Sequence, residues 1–391
     1  MTSLPKPGKP SFSAVVESLD RQRGDGLHDG AQVYVSRYGE PLLDVAVGES
    51  VAGRALRTDD VMLWYSAGKP VTTTAVLQLW ERGRLGLDDR IADYVAGWGA
   101  GKERATVRQV LIHTGGFTMA GKGELFDRDV TYAEAVARIA AHPAEWEPGT
   151  KAGYHPTSGW KILGAVVEAV DGRPIERYVA DEVLAPAGMK ESRLGIPPEE
   201  QAALGDRLAP VHWKGHAVAL QDESGLRMVP YHVERIHNEV WHVAKVEPGG
   251  GMRGPARELG RLYESLLGFG PPLLEPRTVE VMGAVHRYGL ADVIFGGMKT
   301  PWGLGVQVAG GMSGGPGRRA FGHGGMASSR GFADPDAGLV AVLVCNGLPD
   351  PIRNEQRMFA FTDGVYRAFG DELAHLRLPA RPMSEAFRPS T

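Results

Sequence analysis

Apolar and polar residues alternate in two neighbouring stretches near the start of the chain, and this period of two predicts a β-hairpin. Residues 31–38 follow the pattern of a half-buried strand, and residues 42–47 follow it again. Between them, Gly39-Glu40 supplies a turn. An amphipathic pattern over residues 11–19 predicts a helix before the hairpin. The chain therefore begins with a helix and two antiparallel strands.

A helical period follows a short apolar run at residues 61–65. Apolar residues recur at helical spacing across residues 67–82, and Gly83 ends the pattern. Because proline is tolerated best in a first helical turn, Pro70 indicates that this helix begins near Ser66.

The middle of the chain, residues 85–251, is mainly helical in pattern. Its clearest helices are predicted over residues 132–141, 158–170 and 174–184. Between residues 198 and 248 the pattern becomes irregular and rich in histidine. We interpret 85–251 as a mainly helical lobe, and its segment 198–248 as the lining of a cleft.

Strands return in the last third of the chain, between a helix predicted over 255–267 and a closing helix over 355–369. The predicted strands cover residues 302–308, 319–322, 330–334 and 339–345. Strands at both ends of a chain with helices between them favour an α+β fold. We expect an antiparallel sheet flanked by helices and built from both chain ends, an α/β lobe of residues 1–84 and 252–391, with the helical lobe inserted.

Composition and charge exclude several classes of protein. Apolar residues make up 43 % of the chain and charged residues 23 %, which is typical of a globular protein and not of a disordered one. A net charge of −4 provides no basic field for nucleic acid. The longest apolar run, 339–345, is far shorter than the roughly 18 residues of a membrane span. Since the start of the chain has no apolar signal segment, we expect a cytoplasmic protein with no membrane partner.

Metal and disulfide chemistry finds little support in the sequence. Cys345 is the single cysteine, which excludes an internal disulfide framework and a cysteine-rich zinc site. The irregular segment contains several histidines, but none forms the H-E-x-x-H pattern of a zinc enzyme. We therefore expect no metal and no other cofactor.

The strongest chemical signal is Ser66-Ala-Gly-Lys69, which places a lysine one helical turn after a serine. A serine hydroxyl becomes nucleophilic when a base removes its proton, and a lysine whose ammonium form is disfavoured is such a base. The same spacing occurs at residues 3–6 and 158–161, but only Ser66 follows an apolar run and opens a buried helix. The alternative interpretation is a helix-capping serine with an exposed lysine.

Two later motifs add to this signal. Tyr154 lies just before a predicted helix, and a phenol near an amine can act as a base or as a proton relay. Residues 321–326 read Phe-Gly-His-Gly-Gly-Met, in which glycines let a strand approach a ligand closely. The alternatives are a packed aromatic role for Tyr154 and a structural hydrogen-bond role for His323.

The order of these motifs resembles the serine β-lactamase and penicillin-binding-protein superfamily, and the resemblance is strongest to class C β-lactamases and family VIII carboxylesterases. Softer similarities, such as 111–117 and 249–254, extend it over roughly residues 25–370. The resemblance implies Ser66 as the nucleophile, with Lys69 and Tyr154 as its general-base pair. It also implies an oxyanion hole formed by the backbone N–H groups of Ser66 and Met326.

Two departures from the family pattern bear on the substrate. Where β-lactamases have Tyr-x-Asn, this chain has Pro156 two residues after Tyr154, which removes an amide side chain. The family's Lys-Thr-Gly triplet is replaced by His323-Gly324-Gly325, so these substrate-binding residues lack a permanent cation and a hydroxyl. Both losses favour esters or amides without a carboxylate over β-lactams.

Three further matches lack the context that their chemistry needs. Residues 311–315 match the G-x-S-x-G nucleophile elbow, but Pro316 follows where a helix is required. Residues 116–122 resemble a phosphate-binding loop without its magnesium-binding hydroxyl. Residues 249–254 match G-x-G-x-x-G, but no suitable strand follows.

The sequence supports three hypotheses about function. The first is a serine hydrolase that acts on a small-molecule ester or amide through a Ser66 acyl-enzyme, similar to an esterase or amidase and not a true β-lactamase. The second is an acyltransferase that passes the acyl group to an amine or alcohol. The third is a non-catalytic binding module with the same fold. Trp213 and Trp241 are candidates for shaping the substrate pocket, with simple packing as the alternative, and the oligomeric state is left open.

Overall fold

The computed structural model describes residues 10–120, 127–222, 225–311 and 313–376. Residues 3–6 of the first additional Ser-x-x-Lys match lie outside these ranges. So do Gly121 and Lys122 of the match to a phosphate-binding loop, and Met312 of the match to a nucleophile elbow.

The described ranges contain both α-helices and β-strands. The α-helices are α1 (Ser13–Gly24), α2 (Lys69–Glu81), α3 (Val107–Leu111), α4 (Tyr132–Ala141), α5 (Ser158–Asp171), α6 (Ile175–Val179), α7 (Pro198–Leu204), α8 (Glu234–His237), α9 (Val240–Ala244), α10 (Ala256–Leu266), α11 (Pro276–Gly283), α12 (Pro351–Arg367) and α13 (Asp371–Ala374). The β-strands are β1 (Gly30–Arg37), β2 (Glu40–Val51), β3 (Arg54–Ala55), β4 (Met62–Leu63), β5 (Arg193–Leu194), β6 (His212–Lys214), β7 (Ala217–Asp222), β8 (Gly225–Pro230), β9 (Met252–Gly254), β10 (Gln307–Val308), β11 (Phe321–Gly325), β12 (Ser329–Asp334), β13 (Leu339–Cys345) and β14 (Gly347–Pro349).

The main sheet has seven strands in the order β10-β11-β12-β13-β1-β2-β3, and every neighbouring pair is antiparallel. Its centre joins the two ends of the chain, because β1 pairs with β13 from Ala31 opposite Cys345 to Arg37 opposite Leu339. The predicted α+β fold, with an antiparallel sheet built from both chain ends, is confirmed. The proposed boundaries of the two lobes stay predictions.

The apolar strand β13 is buried on both faces of the sheet, which explains why its sequence does not alternate. Val340 and Val342 join the core that contains α2, α5 and α10. Leu339 and Leu343 point the other way, into the core against α1 and α12. The sheet is therefore covered by helices on both sides.

Several predicted elements differ from the observed ones. The strand predicted over 302–308 is wrong for its first five residues, because the chain turns where the Gly303 N–H donates to the Val306 carbonyl and Gly305 adopts a positive φ of 68°. The helix predicted over 174–184 continues beyond α6 as a π-helix, Ala180–Leu184. The irregular segment 198–248 contains α7, α8, α9 and the strands β6, β7 and β8.

Short elements fix the loop that carries Ser66. A 3₁₀ helix, Tyr65–Gly68, leads directly into α2. Strand β4, immediately before this turn, pairs with one edge of β9, and β5 pairs with the other edge of β9. In the described part of the chain, no helix is both long and apolar enough to cross a membrane.

Candidate active site

Ser66 lies in a tight turn at the start of α2. It is partly exposed, whereas the residues around it from 61 to 70 are buried. The preceding residue, Tyr65, has a left-handed backbone with φ of 50°, a conformation that costs free energy for a residue with a Cβ atom. The turn therefore presents one hydroxyl from an otherwise enclosed segment.

The Lys69 amine is buried beneath this hydroxyl and is 0 % exposed, so the alternative of an exposed lysine is wrong. Its Nζ lies 3.0 Å from Ser66 Oγ, 2.7 Å from the Pro156 carbonyl oxygen and 2.5 Å from the Gly249 carbonyl oxygen. Burial lowers the pKa of Lys69 from 10.5 to about 7, against the opposing effect of Glu247. A neutral amine has two N–H donors and one lone pair. The two carbonyls match the donors, which leaves the lone pair for the Ser66 proton.

Pro156 contributes to the site through its backbone. The sequence indicated the loss of an asparagine amide at this position, but the Pro156 carbonyl oxygen accepts a hydrogen bond from Lys69. Trp160, in the first turn of α5, donates its indole N–H to the Lys69 carbonyl at 3.0 Å. The segment after Tyr154 therefore holds the lysine from two directions.

Tyr154 is buried, and its ring stacks on Phe295 with centroids 4.9 Å apart. Burial raises the pKa of Tyr154, and an interaction with the Ser66 hydroxyl opposes that rise. The phenol is therefore neutral at physiological pH, which suits a proton relay better than a tyrosinate base. The His113 ring also packs against the Tyr154 ring, with centroids 4.7 Å apart.

Strand β11 lies directly against the Ser66 turn. A Cβ atom at Gly325 would come within 2.2 Å of the Trp64 carbonyl oxygen, so only glycine allows this approach. Ser329 on β12 donates a hydrogen bond to the same carbonyl at 2.5 Å. Met326 follows Gly325 and packs against the cluster that contains Tyr65. The expected oxyanion pair, Ser66 and Met326, thus lies on two segments in contact.

His323 is buried in the site, but it does not replace the family's lysine as a cation. Its Nδ1 donates to the Gly324 carbonyl oxygen at 2.7 Å, and burial lowers the pKa of His323 to about 3. The ring lies 5.6 Å from that of Trp302 and 6.0 Å from that of Tyr154. The triplet that begins at His323 therefore offers hydrogen bonds and no charge.

Trp213 and Trp241 both pack against histidine rings of the segment 198–248. The Trp213 indole donates to the His216 carbonyl at 2.9 Å, and its ring packs on His232. The Trp241 ring packs edge-on against His242. Their assignment to a substrate pocket stays a prediction. Within the described ranges, no cluster of three or more His, Cys, Asp or Glu side chains is placed to hold a metal ion.

The structure also places residues around Tyr154 that the sequence analysis did not select: His113, Arg287, Asp292, Phe295 and Trp302. His113 falls in the similarity at 111–117, which was a usable signal. No motif marks the others, because Asp292, Phe295 and Trp302 meet Tyr154 only through the tertiary fold, and Arg287 reaches this segment through Asp292 and His113.

Comparison with known proteins agrees with this geometry. A family model described as Beta-lactamase matches residues 16–362. Esterase EstB from Burkholderia gladioli is 31 % identical over 182 residues, which cover 41 % of this chain and 46 % of EstB. Esterase/beta-lactamase LipL from Mycobacterium tuberculosis (strain ATCC 25618 / H37Rv) is 25 % identical over 88 % of this chain and 83 % of LipL. The chain therefore matches about half the length of EstB and most of LipL.

A solved structure of a family VIII carboxylesterase covers 92 % of this chain and 99 % of its own, with 26 % identity and a TM-score of 0.77. A penicillin-binding protein homologue from Caulobacter crescentus has the same fold, with 24 % identity and a TM-score of 0.74 over 91 % of this chain and 97 % of its own. The resemblance predicted from the order of the motifs is confirmed.

Proposed function

Because this chain belongs to the beta-lactamase family, we propose that it is a serine hydrolase that cleaves an ester or amide through an acyl group on Ser66. One observation carries the proposal: a buried amine, with a pKa of about 7, lies 3.0 Å from a partly exposed serine hydroxyl. A purely structural role for Lys69 would not require its amine to lie next to the one accessible hydroxyl of the turn.

Acylation begins when the Lys69 amine accepts the Ser66 proton and Oγ bonds to the substrate carbonyl carbon. The negative charge on the carbonyl oxygen is received by the N–H groups of Ser66 and Met326. As the bond to the leaving group breaks, the neutral Tyr154 phenol gives that group a proton and recovers one from the Lys69 ammonium. In the second half, water gives a proton to Lys69 and its oxygen bonds to the acyl carbon. As the bond between that carbon and Ser66 Oγ breaks, the Lys69 ammonium returns the proton to Oγ, which releases the acid and restores the free enzyme.

Charge around the site favours neutral esters over β-lactams. A β-lactam carries a carboxylate, which is best held by a permanent cation. Here His323 is neutral, and the Arg287 guanidinium is buried against Asp292 at 3.2 Å. The similarity to EstB, an esterase, supports the same choice, whereas LipL is named as both an esterase and a beta-lactamase.

The rim next to Tyr154 favours an apolar substrate. Val293 and Ile294 are 53 % and 37 % exposed, and Phe295 stacks on the Tyr154 ring. Burial of such side chains against an apolar acyl or alcohol group is favourable by about 25 cal/mol for each Å². We therefore expect neutral apolar esters to be the better substrates.

Labelling with a fluorophosphonate tests the nucleophile. Intact-mass spectrometry should find one adduct on the wild type and none on Ser66→Ala. Ser313→Ala is the matched control, because Ser313 is the serine of the G-x-S-x-G match, and it should be labelled like the wild type. An adduct that persists in Ser66→Ala overturns the proposal.

Product analysis tests the class of reaction on the same preparations. A neutral p-nitrophenyl ester should yield free acid at a rate far above that of a chromogenic cephalosporin. If added amines or alcohols divert most of the acyl group into new amides or esters, the acyltransferase hypothesis replaces hydrolysis.

A further inference from the structure

The backbone before α5 is held at three consecutive N–H groups. Gly153 donates to the His113 carbonyl oxygen, Tyr154 donates to Asp292 Oδ1, and His155 donates to His113 Nδ1, each at 3.0 Å. Residues 153–155 therefore have little freedom to rotate, and the direction of the Tyr154 side chain is set by two residues distant in sequence.

The same carboxylate also organises the rim loop. Asp292 Oδ1 accepts hydrogen bonds from the backbone N–H groups of Ile294 at 3.1 Å and Phe295 at 3.3 Å. These bonds turn the chain so that the Phe295 ring lies on the Tyr154 ring. One side chain thus fixes both partners of this stacked pair.

Arg287 links the two anchors of the Tyr154 segment. Its guanidinium donates to Asp292 Oδ2 at 3.2 Å and to the His113 carbonyl oxygen at 3.3 Å. The Arg287 and Asp292 side chains are only 2 % and 0 % exposed. A buried ion pair is weak support for stability, because desolvation offsets much of the attraction. Its position against the Tyr154 segment indicates a role in geometry.

We propose that Asp292 is a positioning residue that holds the Tyr154 phenol in line between Ser66 and the leaving group. This inference rests on the proposed function, because it assigns a role in the same acylation step. A proton relay works only within hydrogen-bond reach, and a displacement of about 1 Å can cost about 100-fold in rate. Asp292 contacts Tyr154 through the backbone N–H, so its effect on kcat passes through Tyr154, whereas any effect through the rim loop acts on substrate binding and appears in KM.

A double-mutant cycle tests this dependence. Asp292→Asn, Tyr154→Phe and the double variant are compared with the wild type by the rate of acylation with a neutral alkyl ester, because its alcohol leaving group needs the proton that Tyr154 supplies. Asp292→Asn should lower kcat at least about tenfold with little change in KM. In the Tyr154→Phe background the same substitution should have almost no further effect, because the group that it positions is already absent.

A second buried ion pair provides the control. Glu355→Gln removes the partner of Arg330, whose guanidinium lies 3.1 Å from Glu355 and is only 2 % exposed. Its effect on acylation should be small and the same with or without the Tyr154 hydroxyl. If Asp292→Asn does not fold, the pair Arg287→Met with Asp292→Ala, which leaves no buried charge, enters the same cycle.

The outcomes separate the two proposals. If the enzyme is active and the fold-losses in acylation rate from Asp292→Asn and Tyr154→Phe multiply in the double variant, the two residues act independently. That result overturns the role of Asp292 but not the proposed serine hydrolase. A wild type without Ser66-dependent acylation overturns the proposed function, and the role of Asp292 with it. Unchanged kcat in a folded Asp292 variant also overturns the inference.

Discussion

The pKa of Lys69 follows from the solvent that it lacks. Burial removes water from the ammonium and lowers its pKa to about 7, while Glu247 acts in the opposite direction. Lys102 provides a comparison within the same chain. It is also 0 % exposed and its Nζ binds three carbonyl oxygens, but no serine hydroxyl is among its partners. A buried lysine alone therefore does not define a catalytic site. The feature that distinguishes Lys69 from Lys102 is the hydroxyl of Ser66 within hydrogen-bond distance of its amine.

The acylation rate should follow the deprotonated fraction of Lys69. Because the base form is the reactive one and the pKa is about 7, the rate should rise with pH through neutrality. We expect it to fall about tenfold for each unit below pH ~6 and to level off above pH ~8. Stopped-flow acylation between pH 5 and 9 measures this, with Lys102→Met as the control that keeps the profile. A flat profile would exclude Lys69 as the titrating base.

Tyr65, the residue with a left-handed backbone before Ser66, is held by a hydrogen bond of its own side chain. The Tyr65 hydroxyl lies 3.0 Å from His237 Nδ1, and both side chains are buried. Tyr65→Phe removes this bond and should cost about 1 kcal/mol of folding free energy. Because the bond holds the turn next to Ser66, kcat should fall about tenfold with KM nearly unchanged.

A matched substitution at Tyr34 distinguishes an effect of the Tyr65 bond on kcat from a general loss of folding stability. The Tyr34 hydroxyl bonds Glu264 at 2.7 Å, so Tyr34→Phe removes a comparable buried bond from β1. It should lower the urea midpoint and leave kcat alone. Equal effects of the two substitutions on kcat would mean that the Tyr65 bond has no special role.

At the residue scale, the sequence predicts groups whose chemistry is local and misses those that act across the fold. Ser66 and Lys69 are one helical turn apart, so their meeting follows from the helix. Asp292 reaches the Tyr154 N–H from 138 positions away, and nothing in its local sequence marks that contact. Likewise, the carbonyl of Pro156 supplies an acceptor where side-chain comparison indicates only a loss.

At the element scale, the close contact between β11 and the Ser66 turn requires a glycine at position 325, because any Cβ atom there would collide with the turn. Gly325→Ala would place its Cβ atom 2.2 Å from both the Trp64 carbonyl oxygen and Ser329 Oγ. The strand must then move away from the turn, and the Met326 N–H moves with it. We expect at least about a 100-fold loss of kcat and a destabilisation of roughly 1–3 kcal/mol.

Gly24→Ala is the control for this substitution. Gly24 ends α1, and an added Cβ atom would meet nothing within 4 Å. Its effect on stability should stay within about 0.5 kcal/mol, and kcat should not change. Wild-type kcat in a folded Gly325→Ala variant would argue against Met326 as an oxyanion donor.

Elements with a strong period are predicted better than those shaped by contacts. The helix at Tyr132–Ala141 and the strand at Leu339–Cys345 match their predicted bounds, because one is amphipathic and the other uniformly apolar. The predicted strand over 302–308 fails at Trp302, which is buried and paired with Arg287 at an isolated bridge. The Trp302 side chain is therefore apolar because it is buried, although the residue is not part of a strand.

At the scale of the whole molecule, one core crosses the proposed boundary between lobes. Val342 of the sheet and Val166 of α5 belong to the same cluster of buried residues. Trp160 extends the link, since its indole N–H donates to the Lys69 carbonyl. Residues of the two predicted lobes therefore pack into one core, and the candidate active site is in contact with it through Trp160.

A shared core predicts that the lobes unfold together. Val166→Ala in α5 should destabilise the protein by about 2 kcal/mol, since a fully buried valine side chain is lost to the core. The urea transitions followed by tryptophan fluorescence and by far-UV circular dichroism should coincide and shift by the same amount. Val240→Ala is the control, because Val240 is 54 % exposed and should leave both transitions in place. Two separated transitions, with only one shifted by Val166→Ala, would instead mean that the helical lobe folds on its own.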